Sequence, residues 1–177
     1  MNQQDCDREQ LNFSYLDVLY HLFRCVFFNE RSLRWILFNK YITKKILICY
    51  GLLLLLPIKS FATGEVYFLN VGFIVESLVL SLFYYFILFI LIPSKRLPIG
   101  GLIRVFFSIE IINVFMIISL YLDGFGLMIL YSIMIGWYFT LSVFVVYHIS
   151  HIVYRKAIVI VCLAFLLTNF IPIIFSS

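Results

Sequence analysis

From Ile46 onward the chain is a series of five apolar runs, and this series limits the possible folds more than any motif does. The runs cover about residues 46–62, 71–92, 103–122, 127–148 and 157–175. A helix rises about 1.5 Å per residue, so roughly 20 apolar residues match the roughly 30 Å hydrocarbon core of a bilayer. A soluble domain of 177 residues needs far more polar surface than a chain that is 64 % apolar and 12 % charged can supply. The aromatic share of 19 %, with 20 Phe and 12 Tyr, suits a protein whose solvent is lipid and whose rim lies among headgroups. The expected fold is an all-α integral membrane protein. Residues 1–45 form a cytoplasmic N-terminal segment with amphipathic helices, and residues 46–177 form five transmembrane helices.

The first run is the weakest, because Lys59 interrupts it. Ile46 to Ile58 rises only about 20 Å as a helix, and the required length is reached by extending to Ala62 with Lys59 snorkelling outward. Charge supports counting it. Of the thirteen Lys and Arg, seven precede Ile46, while Lys95, Arg96, Arg104, Arg155 and Lys156 lie in or beside the loops of the same parity. Lys59 alone has the opposite parity. The positive-inside rule therefore sets the N-terminus in the cytoplasm and the C-terminus outside.

Before the runs, residues 1–11 are polar and expected to be disordered. Ser14 and Asp17 have capping-box spacing. Leu16, Leu19, Tyr20, Phe23, Val26 and Phe27 then recur with helical period opposite Asp17, His21 and Arg24. A second helix is expected over Arg31–Tyr41, with Arg31, Arg34, Trp35 and Lys40. Such helices either lie in the headgroup plane or pack on the cytoplasmic ends of the spans. Leu19, Phe23 and Phe27 are the candidate partner-binding residues.

Four features resemble the Yip family of Rab-interacting membrane proteins in its compact bacterial form. Asn29-Glu30-Arg31-Ser32-Leu33 sits where the family has a basic turn between N-terminal amphipathic helices. Gly100-Gly101 follows the second span, Gly136-Trp137 lies in the fourth, and Arg155-Lys156-Ala157 opens the fifth. The resemblance covers residues 14–177 as an arrangement. It implies a five-span, membrane-organising protein of the bacterial inner membrane.

Glu76, Glu110 and Asn113 are the candidate intramembrane polar residues. An acidic residue at mid-span costs about 3 kcal/mol on an insertion scale, which runs this rich in Leu, Ile, Val and Phe offset. Two readings stand: a proton or cation path, or polar groups that fix helix packing, as the Ser77, Ser81 and Tyr85 stripe beside Glu76 also would. His148 and His151 share a helix face as candidate interfacial residues, either a pH-responsive rim or two imidazoles that lack a third ligand in sequence. Pro172 is expected to kink the fifth span, with Asn169 satisfying the freed carbonyl. Cys6, Cys25, Cys49 and Cys162 imply no disulfide framework. HExxH, GxSxG and phosphate-cradling glycine motifs are absent, so the sequence points away from an enzyme, a metal site or a cofactor. The expected partners are membrane lipids and a homo-oligomer or another membrane or cytoplasmic protein, with no nucleic acid. The expected role is a membrane scaffold or accessory subunit. A small channel or transporter built on Glu76 and Glu110, or a component of a bacterial immunity or phage-defence system, are the alternatives.

Overall fold

A computed structural model describes residues 13–60, 63–67, 71–92 and 99–175, with 71, 73, 74 and 170–175 described by backbone alone. The expected disorder of residues 1–11 and the Lys95-Arg96 loop lie outside the described residues. The described chain is all-α apart from one minimal hairpin. Its helices are α1 (Tyr15–Val26), α2 (Glu30–Phe38), α3 (Thr43–Leu53), α4 (Val71–Leu91), α5 (Ile99–Ile109), α6 (Gly124–Ser150) and α7 (Tyr154–Phe175). A 3₁₀ turn, Lys40–Ile42, precedes α3, and a long 3₁₀ segment, Glu110–Tyr121, continues α5. β1 (Ile58–Lys59) pairs antiparallel with β2 (Val66–Tyr67). Gly64, at φ 70°, supplies the left-handed residue of the turn between them.

The chain forms two compact units, one of residues 1–53 with 97–112 and one of 54–96 with 113–177. In the first, α1, α2, α3 and α5 pack together around Val18, Leu22, Cys25, Leu33, Ile36 and Val105. Capping sets the start of the first two helices. The Ser14–Asp17 capping box forms as its spacing predicts, and the Asn29 side chain accepts from Ser32 N, starting α2 at Glu30 rather than leaving Asn29–Leu33 as a turn. In the second unit, α7 packs against both α4 and α6. It does so through Ala157, Val161, Ala164 and Thr168, a buried stripe of small side chains that lets backbones approach closely.

Among the described residues, two helices are long and apolar enough to cross a membrane by length and composition: Ile99–Tyr121, of 23 residues, and α6, of 27. The first run differs most from its expectation. Instead of a helix over 46–62, α3 stops at Leu53 and the chain turns into β1. Pro57 is the cause: a helix carried through it would lose the Pro57 N–H bond and drive its ring into the Leu53 carbonyl, four residues back. Nor does Lys59 snorkel freely. Its ammonium bonds the Leu122 carbonyl at 3.1 Å and pairs with Asp123, while its backbone N–H donates to Ser119 Oγ at 3.0 Å and its carbonyl accepts from Tyr131 OH at 2.8 Å. With Asp123 87 % exposed, the ion pair itself contributes at most about 1 kcal/mol. Asp123→Asn is therefore expected to leave thermal unfolding almost unchanged.

Candidate functional site

The most elaborate polar arrangement in the first unit is centred on Arg104, which is 5 % exposed. The last carbonyls of a helix have no partner within it, and α2 ends inside the unit. Asn39 N–H donates to the Trp35 carbonyl at 3.1 Å. Arg104, reaching from α5, supplies donors for the next two: Nε to Ile36 O at 2.9 Å and Nη2 to Leu37 O at 2.6 Å. Its Nη1 donates to Thr43 Oγ1 at 3.1 Å, and that hydroxyl donates onward to Lys40 O. The guanidinium thus ties α2, the 3₁₀ turn and the start of α3 to α5, and its charge favours the negative end of the α2 dipole. Sequence reasoning counted Arg104 only as a topology charge. The missed signal is a lone guanidinium among Leu102, Val105 and Phe106, where burial demands partners.

α1 is apolar on two sides. Val18, Leu22, Cys25 and Val26 face the core, whereas Leu16, Tyr20, Phe23 and Phe27 are exposed and Leu19 is intermediate. This corrects the single apolar face expected over Leu16–Phe27: Val26 belongs to the inward stripe, and Leu19 lies between the two. The candidate partner residues Phe23 and Phe27 remain available together, one turn apart. Burial pushes the Cys25 thiol up to about 12, so this cysteine is protected while the unit is closed.

His21 lies at the edge of the same unit, stacked on Trp35 with ring centroids 4.0 Å apart and with Nδ1 3.1 Å from Ser32 Oγ. Burial, then the nearby Arg24 charge, lower its pKa from the usual value, against an opposing pull from Asp17. The unfolded chain therefore binds more protons than the folded one between this lowered value and the ordinary value of about 6.5. Stability should fall as pH drops through that window and level off below the folded value. Thermal unfolding between about pH 7.5 and 5.5 should show a larger loss for the wild type than for His21→Gln.

Glu110 is 4 % exposed and Asn113 half-buried, and both lie in the 3₁₀ segment. With 3.0 residues per turn, positions three apart eclipse, so Glu110, Asn113, Met116 and Ser119 form one row about 18 Å long. In an α-helix the same residues would drift by about 60° per step, putting Ser119 opposite Glu110. A 3₁₀ stretch of 12 residues is unusual, since such runs seldom exceed about 4. Glu76 stands apart: it is exposed on α4 beside the exposed Val75 and Val79, so it does not share Glu110's buried setting. In its polar stripe, Tyr85 is buried and its hydroxyl meets Tyr138 OH at 2.9 Å.

The two histidines do not share a helix face. His148 Nδ1–H donates to the Phe144 carbonyl at 2.9 Å within α6, whereas His151 leaves the helix as its left-handed cap, at φ 51°. Among the described residues, no group of three or more His, Cys, Asp or Glu gathers to hold a metal. Asn169 bonds the Phe165 carbonyl at 2.7 Å rather than a carbonyl freed by Pro172. No family model, curated protein or solved structure matches this chain.

Proposed function

We propose that the chain is a non-enzymatic integral membrane protein, a scaffold or accessory subunit of a membrane complex, arranged as in the Yip-like resemblance. The observation that carries the membrane reading is the surface of the second unit. Phe86 and Ile90 of α4, Phe125 and Ile133 of α6, and Leu163 and Leu166 of α7 are all exposed. Such apolar cover on every helix suits lipid rather than water. Five crossings remain the best account of the charge asymmetry, with the first made of α3 and the irregular chain after it rather than one helix. Gentle detergent extraction followed by identification of copurifying proteins tests the scaffold role. A stoichiometric partner is expected; a chain that purifies alone from its native membrane would contradict it.

The 3₁₀ row favours a second reading, a proton or cation path centred on Glu110 without Glu76. Under the scaffold reading, Glu110→Gln keeps shape and hydrogen bonding and leaves vesicles as ion-tight as before. Proton flux in wild-type vesicles that Glu110→Gln abolishes and Glu76→Gln spares would replace the scaffold with a transporter.

A further inference from the structure

We propose that the outward stripe of α1 is a lipid-binding face, seated among the headgroups of an anionic leaflet. This rests on the membrane reading above and assigns one surface of the first unit. Leu16, Tyr20, Phe23 and Phe27 fall within about 60° of one another around the helix, and the buried stripe lies on the far side. A helix that only packed against its own unit would carry polar residues here. Charge selects the occupant. Arg24, Arg31, Arg34, Lys40 and Lys44 are exposed in this unit. Its acidic residues between Phe13 and Leu53 are Asp17, engaged in the Ser14 cap, and Glu30, paired with Arg34. Arg24 also bonds Tyr20 OH at 2.7 Å, holding a cation at the edge of the apolar stripe. An apolar stripe with a cation at its edge, on a unit whose exposed residues include Arg24, Arg31, Lys40 and Lys44, is the pattern of helices that lie in an anionic interface.

An independent observation comes from the turn after α1. Phe28 sits at φ 60°, a left-handed conformation that glycine adopts freely and a bulky side chain adopts only under strain. The ring held there is exposed beside Phe27. Strain retained where glycine would relieve it points to a use for the side chain, and a ring at the headgroup level is such a use.

The test uses the full chain reconstituted in phosphatidylcholine vesicles with and without phosphatidylglycerol. Phe23→Trp, in a background of Trp35→Phe and Trp137→Phe, puts a single indole on the stripe. Quenching by lipids brominated near the headgroup is expected, stronger with phosphatidylglycerol and weakened by salt, with little quenching by aqueous iodide. Phe28→Gly should reduce that lipid quenching while slowing alkylation of buried Cys25 several-fold, a combination that a purely structural Phe28 would not give. Iodide quenching as strong as for free indole in both vesicle types overturns the proposal. So does protection from both quenchers that grows with protein density, which would mean a second copy covers the stripe. A control chain keeping Trp137 alone, read with lipids brominated deep in the acyl chains because residue 137 is the midpoint of α6, separates the two readings: if its indole too escapes brominated lipid, the membrane reading fails; if only the indole at position 23 escapes its headgroup quencher, the lipid face fails.

Discussion

Arg104→Ala should open the N-terminal unit. The substitution leaves the Ile36 and Leu37 carbonyls buried without donors, frees the Thr43 hydroxyl of its guanidinium partner, and empties the space the side chain fills. Losing charge-assisted bonds to groups that stay buried costs about 3 kcal/mol, allowing for some water entering the gap. Cys25 reports the opening directly, because its thiol is fully buried and burial holds its pKa at about 12. In detergent, with labelled peptides resolved from those of the other cysteines, alkylation of Cys25 should accelerate about a hundredfold. Arg104→Lys should fall between, keeping the charge but losing the fork that serves two carbonyls at once. An Arg104→Ala chain whose Cys25 stays as protected as in the wild type would mean that the core, not the clasp, holds α2 to α5.

The second large effect separates the two sides of α1. Leu22 is 0 % exposed and its neighbour Phe23 is 39 % exposed. Leu22→Asp places a carboxylate in the apolar core that holds Leu33, Ile36 and Val105, and should cost about 4 kcal/mol. Phe23→Asp, one residue along, should change stability by no more than about 0.5 kcal/mol, since it removes nothing from the core. Cys25 alkylation should rise by roughly a thousandfold in the first variant and hardly at all in the second. Equal effects would mean the stripes have been assigned to the wrong sides.

Strong local signals in the sequence carried through to the structure. The apolar runs at 71–92, 127–148 and 157–175 appear as α4, α6 and α7 with ends shifted by only a few residues, and Ser14 with Asp17 makes the expected cap. Where the reading failed, a tertiary demand or an overlooked residue decided. Pro57 is visible in the sequence and sufficient to end α3 at Leu53, whereas the expected extension to Ala62 rests on length, Lys59 snorkelling and the charge asymmetry. α1 is apolar nearly all round, so periodicity showed a helix but not which stripe the unit would bury. Two features depended on neighbours distant in sequence and were illegible from spacing: Arg104 reaching carbonyls near Ile36, and Lys59 meeting Asp123. The 3₁₀ winding that aligns Glu110 with Ser119 has no sequence mark that we recognise. An i, i+3 polar pair such as Glu110 and Asn113 fits either helix type.

The central proposal is that the chain enters the membrane with α3 and, after α7, leaves it at the opposite face. Accessibility tagging in intact cells tests it most directly, with sites at Thr63 in the hairpin, within residues 93–98, and after Ser177. The account predicts that Thr63 and the C-terminus are reached from outside without permeabilisation, and that residues 93–98 are reached only after it. A hairpin site and a C-terminus both confined to the cytoplasm would contradict it.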